Sequence, residues 1–208
     1  MSKPRSSSGR WRDRQERDPY VQKARRDGWR SRAVYKLEQI DQKERIIRPD
    51  MVCLDLGSAP GGWSQYISRR LNGRVRIVAV DLLPMDGLPD VEFIQGDFED
   101  DAVFAALLEA IGDGGADLVM SDMAPNITGI KGVDQPKSMY LVELALDMAR
   151  RVLKPGGSFI CKVFQGEGFD GFVVDARSSF KKVRVMKPRA SRAGSREVYL
   201  VARNYQLV

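Results

Sequence analysis

From Met51 onward the chain alternates between short apolar runs and segments with helical periodicity, and this alternation narrows the folds open to it more than any other feature. The runs at 51–56, 75–80, 91–95, 116–121 and 157–163 are short and mostly continuous, as strands buried on both faces are. Between them, 62–71, 101–111 and 136–152 read as helices. Phe104, Leu107, Leu108 and Ile111 form one apolar stripe, and Leu141, Leu144, Met148 and Val152 another. A last helix near 169–180 precedes strands at 182–186 and 197–202, which are joined by a basic, turn-like stretch. No helix fits between those two strands, so they must pair antiparallel. The pattern predicts an α/β fold: a seven-stranded, mostly parallel sheet with one antiparallel edge strand and helices on both faces.

Ahead of this alternation, residues 1–17 show no apolar periodicity and read as a mobile arm. Asp18 and Pro19 then supply an N-cap and a first-position proline for a short helix that Gly28 ends. Ser31 is placed to cap a second helix, in which Ala33, Leu37 and Ile40 make a buried stripe. At about 100° per residue, Lys36 falls roughly 60–70° from the centre of that stripe, at the edge of the buried face. The organisation expected is a basic arm and short helix over 1–30 and a single domain over 31–208.

The net charge of +6 conceals an uneven distribution. Residues 1–32 hold 11 Lys/Arg against 4 Asp/Glu, residues 33–180 hold 15 against 23, and residues 181–208 hold 8 against 1. An acidic body between two basic ends points to a phosphate-rich partner, because lysine and arginine that neutralise phosphates release counterions. The chain has no histidine, which excludes a Ser-His-Asp triad, imidazole general-base catalysis and histidine-ligated metals. Cys53 and Cys161 both lie inside apolar runs and read as core residues in a reducing compartment. Without a membrane-length apolar run or a secretory h-region near the start, a cytoplasmic location is expected.

The most specific motif is Asp-Leu-Gly-Ser-Ala-Pro-Gly-Gly-Trp-Ser-Gln at 55–65, which ends the first strand and opens a helix. Gly57, Gly61 and Gly62 let backbone approach a ligand at the C-terminal edge of the sheet, the binding crevice of Rossmann-like folds. Asp81 ends the next strand, where a carboxylate can accept from both ribose hydroxyls of an adenosine, and Asp97 is placed to accept from an adenine amino group. The loop departs from the NAD fingerprint: Ala59 and Pro60 follow Gly57, and Trp63 would crowd a pyrophosphate at the helix N-terminus. Asp55 suits the ammonium of a methionine moiety. S-adenosylmethionine is therefore the favoured ligand, and an NAD-dependent dehydrogenase the remote alternative.

Two more polar groups are predicted on the same rim. Asp122, in Ser-Asp-Met-Ala-Pro-Asn, closes the fourth strand, and Lys162 lies within the apolar strand Ser158–Phe164. A lysine there is costly without partners.

These segments resemble FtsJ-type ribose 2′-O-methyltransferases. The resemblance rests on the Gly-Trp loop at 61–63, the Asp122 motif, the Lys162 strand, Ser-Arg-Glu-Val-Tyr at 195–199 and Arg-Ser-Arg-Ala-Val-Tyr-Lys-Leu at 30–37, and it spans the chain from about Trp11 onward. Ser58 departs from the family pattern, where alanine is expected. The resemblance implies the S-adenosylmethionine-dependent methyltransferase fold, with Asp55, Gly57, Gly61, Gly62, Trp63, Asp81, Asp97 and Asp122 at the cofactor. It also implies a catalytic tetrad of Lys36, Asp122, Lys162 and Glu197, no metal, and S-adenosylhomocysteine as product. The implied substrate is a uridine in the peptidyl-transferase A-loop of 23S ribosomal RNA, on the large subunit, with the enzyme as a monomer.

The chemistry fits. A ribose 2′-hydroxyl is a weak nucleophile that must lie in line with the sulfonium methyl and lose its proton near the transition state. Without histidine, a lysine is a sensible base, because burial and a second ammonium both favour the neutral amine. Lys162 is assigned that role, with Lys36 as the neighbouring cation and Asp122 and Glu197 orienting the amines. Carboxylates pull the other way, so Lys162 acts either as base or by positioning the hydroxyl.

For RNA, Trp11, Tyr20, Trp29 and Tyr35 are interleaved with Arg10, Arg12, Arg14, Arg25, Arg26, Arg30 and Arg32, a mixture suited to phosphate contact and base stacking. Lys181, Lys182, Arg184, Lys187, Arg189, Arg192 and Arg196 are expected to form the opposite wall. Methylation of an mRNA cap or a tRNA, and a catalytically silent RNA-binding module, are the alternatives weighed.

Overall fold

In a computed structural model, which describes residues 18–125 and 128–207, the apolar runs become β1 (Met51–Leu56), β2 (Val75–Asp81), β3 (Val91–Gln95), β4 (Ala116–Ser121) and β5 (Leu153–Phe164). The periodic segments become α3 (Gly62–Leu71), α4 (Asp101–Ile111), α5 (Lys131–Val152) and α6 (Phe169–Ser179). Two helices precede them, α1 (Pro19–Arg26) and α2 (Val34–Glu44), and β6 (Phe180–Met186) and β7 (Glu197–Tyr205) follow.

Among the described residues the strands form one sheet in the order β3-β2-β1-β4-β5-β7-β6. The α/β class holds, with one difference. The antiparallel strand, expected at the edge, is β7, and it lies one place in: it pairs antiparallel with both β5 and β6, so β6 is the edge strand and runs parallel to β5. An antiparallel strand begins where its parallel neighbours end, so the first residues of β7 reach the rim that carries the C-termini of the other strands.

Strand alternation divides the core between the two faces. Leu54, Leu56, Val119, Phe159, Cys161 and Leu200 pack with α4, α5 and α6, whereas Met51, Cys53, Met120, Ile160 and Val201 pack with α1, α2 and α3. By the same alternation Asp55, Lys162, Glu197 and Tyr199 all point to the α2–α3 face. Both cysteines are fully buried and burial pushes their thiols up, as core residues require.

The N-terminal helices are part of this body. Asp18 caps α1 through Tyr20 N at 3.0 Å, as expected. Ala24 is buried, Tyr20 packs on Tyr35 with ring centroids 5.4 Å apart, and Gln65 binds the Gly28 carbonyl at 3.1 Å. Residues 18–30, grouped in the sequence with the arm, are thus docked; residues 1–17 lie outside the described residues. Ser31 does not cap α2 directly. Its Oγ accepts from Ala33 N at 3.1 Å, and the helix starts at Val34. The α2 stripe is also broader than its apolar residues suggest, burying Tyr35, Lys36, Asp41 and Glu44 beside Val34, Leu37 and Ile40. Fully burying each of those three aliphatic side chains contributes about 1.5–3 kcal/mol.

α5 begins five residues before Pro136, where the sequence placed its start. Asp134 explains the extension: its carboxylate accepts from Thr128 N at 2.8 Å and Gly129 N at 2.9 Å, so the approach to the helix is tied down ahead of the proline. Strand order reverses between β1 and β4, and ligand crevices of open α/β sheets form outside such a reversal. Gly57 follows one of these strands and Asp122 the other.

Candidate active site

At the reversal the loop after β1 turns sharply. Gly57 has φ of +68°, and a Cβ there would lie 2.2 Å from Met123 Cγ, so glycine alone lets the β1 and β4 loops close on each other. Gly62 opens α3 against the segment that leads into α2, where a Cβ would meet Ser31 Oγ at 2.6 Å. The Asp81 carboxylate accepts from Ala59 N at 2.9 Å and Leu83 N at 2.8 Å, joining this loop to the segment after β2. Arg30, expected at the RNA, is a clamp between the same two segments. Its guanidinium donates to the carbonyls of Pro60 at 3.1 Å, Asp86 at 2.7 Å and Gly87 at 2.8 Å.

A cleft of about 340 Å³ opens here, and its lining includes Gly57, Asp81, Asp97, Asp122 and the apolar Leu82 and Leu83. The two leucines are 65% and 64% exposed, an apolar wall with nothing packed over it. The other expected cofactor residues shape the cleft without lining it. Gly61 and Gly62 fix the loop, and Trp63 is buried, donating from Nε1 to the Ala33 carbonyl at 2.9 Å and packing on Tyr199. Asp55 is also buried, with Ser64 Oγ 2.6 Å from its carboxylate. Burial pushes its carboxyl up to about 7, with Asp122 and Asp81 adding to the rise and Ser64 opposing it. Ser58, the departure from the family pattern, has a buried hydroxyl with no hydrogen-bond partner.

A second cleft of about 310 Å³ is lined by Lys36, Lys162, Glu197, Arg32 and Arg192, and it shares Ala124 with the first. The two lysines, one from α2 and one from β5, are each only 9% exposed. Lys36 Nζ lies 2.7 Å from Glu197 Oε1. Lys162 Nζ lies 3.3 Å from Asp122 Oδ1 and also donates to the Asp122 carbonyl. Burial raises the Glu197 carboxyl, but the Lys36 ammonium and the Ser191 hydroxyl outweigh it and hold the group below the usual carboxylate range. The four residues of the expected tetrad are thus gathered as two amine–carboxylate pairs.

Sequence reasoning missed Tyr199, which reads there as one more strand residue. It is fully buried, sits opposite Lys162 in the β5–β7 register, donates to Asp122 Oδ1 at 2.7 Å and lies under Lys36 Nζ, 5.6 Å from the ring centroid. The alternation that sets Lys162 and Tyr199 on one face was available, but their pairing needed the β5–β7 register.

The expected RNA surface is only partly assembled at this cleft. Tyr35 is buried, and Trp29 is half-buried with the Arg69 guanidinium over its ring and Tyr66 tilted against it. Trp11, Arg10, Arg12 and Arg14 lie outside the described residues. Arg25 and Arg26 are exposed on α1. Of the opposite wall, Lys187, Arg189, Arg192 and Arg196 belong to the loop before β7, on the site's rim. Lys181, Lys182 and Arg184 lie toward the far end of the sheet, where Lys182 pairs with Arg203 in register and Arg184 reaches Glu44 at 3.0 Å. Arg32 and Arg192 both bind Asp18. Among the described residues no group of acidic or cysteine side chains is arranged to hold a metal ion, and no helix is long and apolar enough to cross a membrane.

Comparison with known proteins adds an independent line. The model of the FtsJ-like methyltransferase family matches residues 29–205. Ribosomal RNA large subunit methyltransferase E of Pseudomonas aeruginosa is 58% identical over 200 residues, covering 96% of this chain and 97% of the relative. The protein of that name from Cellvibrio japonicus is 57% identical over 199 residues, covering 96% and 94%. Among solved structures, a ribosomal RNA methyltransferase from Plasmodium falciparum superposes with a TM-score of 0.77 at 31% identity, over 85% of this chain and 98% of that one. Human methyltransferase-like protein 13, solved with S-adenosylhomocysteine, shares the fold with a TM-score of 0.60 at 17% identity, over 82% of each chain.

Proposed function

Because the chain belongs to the FtsJ-like methyltransferase family, we propose that it methylates the 2′-hydroxyl of a uridine in the A-loop of 23S ribosomal RNA, on the large subunit, using S-adenosylmethionine. The observation that carries this reading is the meeting of the two clefts at Ala124: a nucleoside-sized cleft with acidic ribose and adenine acceptors opens beside the paired lysines and carboxylates. When bound, the cofactor supplies an electrophilic methyl group on a sulfonium.

The residues present fit that group. Asp81 would take the ribose hydroxyls, Asp97 the adenine amino group, and Leu82 and Leu83 the face of the base. The carboxylates of Asp81 and Asp97 suit a cationic ligand, and a cation bound beside Asp55 would favour its ionised form; among the described residues no lysine or arginine forms an ion pair with Asp55. Arg30 holds the loop that receives the ligand, so Arg30→Ala is expected to weaken S-adenosylmethionine binding about ten-fold, as loss of a charge-assisted clamp implies. Calorimetric titration measures this; unchanged affinity would show that the clamp is dispensable.

In the second cleft Asp122 engages two of the three positions on Lys162 Nζ, through its carbonyl and its carboxylate. In the neutral amine the two N–H groups face Asp122 and the third position is a lone pair, which would receive the proton of the substrate hydroxyl and leave Lys162 as the ammonium. Lys36, held by Glu197, places positive charge beside the developing alkoxide. Arg32 and Arg192 line the same cleft and suit the flanking phosphates. All four tetrad residues come from one chain, so a monomer is sufficient, acting in the cytoplasm where its substrate is found. The test is to incubate methyl-labelled cofactor with large subunits and with naked ribosomal RNA and map the modified nucleotide. Label on a base, or on tRNA or capped mRNA in preference to ribosomal RNA, would overturn the assignment.

A pH effect follows from Asp55. Its folded value of about 7 lies above the ordinary carboxylate value of about 4, so the native state binds the proton more tightly than the unfolded chain. The contribution of this group is therefore most favourable at low pH and is lost as pH rises from about 4 to about 7. Asp55→Asn removes that loss. The variant is expected to gain on the parent protein, by on the order of 3 kcal/mol, between pH 5 and pH 8 in denaturant unfolding without ligand. A pH-independent difference would refute it.

A further inference from the structure

We propose that Ser191 is a positioning residue for methyl transfer, holding Glu197 in the orientation that receives Lys36. Its Oγ donates to Glu197 Oε1 at 2.7 Å, the same oxygen that lies 2.7 Å from Lys36 Nζ. The serine is 7% exposed, so the bond is shielded from water. The inference rests on the tetrad reading above.

The placement of this hydroxyl is built into the fold. Ser191 N donates to the Pro188 carbonyl at 2.9 Å, closing a turn around Ala190, which is fully buried. Both backbone polar groups of Ala190 are then fixed from the N-terminal side: its N–H donates to Gln39 Oε1 at 3.0 Å, and its carbonyl accepts from Arg32. Gln39 lies on α2, the helix that carries Lys36. The same helix therefore positions the Lys36 amine directly and, through Gln39 and the turn, the serine that steadies the amine's carboxylate partner. A side chain at Glu197 without Ser191 would keep its contact to a long and flexible lysine and lose the equally short one to a hydroxyl held by the turn.

The neighbouring residue gives the turn a second face. Arg192 lines the cleft with Lys36 and Lys162, so the piece of backbone that meets the RNA also delivers the serine to Glu197. A displaced turn would loosen both at once. Ser191 does not itself line the cleft that holds the lysines, which separates its role from that of a group touching the hydroxyl.

The test compares Ser191→Ala, Ser191→Thr and Glu197→Gln in the full chain, measuring methyl transfer to large-subunit RNA with kcat and KM separated. Ser191→Ala is expected to lower kcat about ten-fold, the size expected for losing one hydrogen bond to a charged group. KM for cofactor and for RNA should not change. Ser191→Thr keeps the hydroxyl and should recover turnover. Unchanged kcat in Ser191→Ala would overturn the proposal, as would equal losses in the alanine and threonine variants or a loss that falls on KM instead of kcat. Thermal midpoints and cofactor titration identify a variant that fails by misfolding, and in that case the turnover of Ser191→Thr decides. If Glu197→Gln turns over normally, the tetrad reading fails; if it is impaired while Ser191→Ala is not, only the role of Ser191 fails.

Discussion

Lys162→Ala is expected to lower methyl transfer by about 10²–10⁴-fold while S-adenosylmethionine still binds with its normal affinity. The lysine lines the cleft beside the one assigned to the cofactor and contributes nothing to the lining of the latter, so ground-state cofactor binding has no reason to change. What disappears, on the proposed mechanism, is the group that holds the hydroxyl and takes its proton. Truncation also removes a nearly buried amine and leaves Asp122 with its Tyr199 contact, so the strand should stay folded. Single-turnover transfer of labelled methyl, paired with calorimetric titration of the cofactor, checks both halves. Turnover within ten-fold of the parent would reject Lys162 as the base and leave it a minor orienting contact.

Asp122→Ala should be costly twice over. It removes the carboxylate beside Lys162, and it takes away the acceptor of the Tyr199 hydroxyl, which is fully buried and whose acid form is already favoured by burial and by the neighbouring carboxylates. An orphaned buried hydroxyl costs about 1–3 kcal/mol. Turnover should fall by about 10²-fold, since the Lys162 amine keeps only the backbone carbonyl of residue 122 to aim it. Asp122→Asn separates the two effects: an amide oxygen can still accept from Tyr199 and restore stability, but it carries no charge to hold the lysine. Denaturant unfolding and single-turnover kinetics on both variants give the comparison. An asparagine variant that recovers full activity would show that Asp122 acts only as a scaffold.

The parallel part of the sheet could be read from the sequence because each strand is an apolar run bounded by glycine, proline or a helical period, and those signals are local. The glycine loop and the carboxylates at strand ends were equally legible, since their chemistry follows from position in a strand–turn–helix unit. Tetrad membership of Lys36 and Glu197 came from resemblance, because nothing local marks a lysine on a helix edge or a glutamate opening a strand. The place of β7 was not legible: its sequence fits an edge strand, and only pairing with both β5 and β6 moves it inward. The intramolecular contacts of Arg30 and Trp29 were not legible for a related reason. Composition favours RNA for an arginine next to a tryptophan, yet three backbone carbonyls and the Arg69 guanidinium claim them in the folded chain. Ser191 and Tyr199 gave no signal, being ordinary residues whose importance lies in what they touch.

The inward position of β7 also sets when the proposed tetrad is completed. Lys36 emerges early in synthesis, and its partner Glu197 enters only with the final strand, after the intervening sheet has been made. A growing chain can build its β1–β4 centre from sequential strand–helix units, but its two lysines have no complete set of carboxylates until β7 slots between β5 and β6. Closing so long a loop is entropically slow relative to local contacts. On the proposed mechanism, an unfinished polypeptide that lacks β7 has no Glu197 to hold Lys36 and transfers no methyl group.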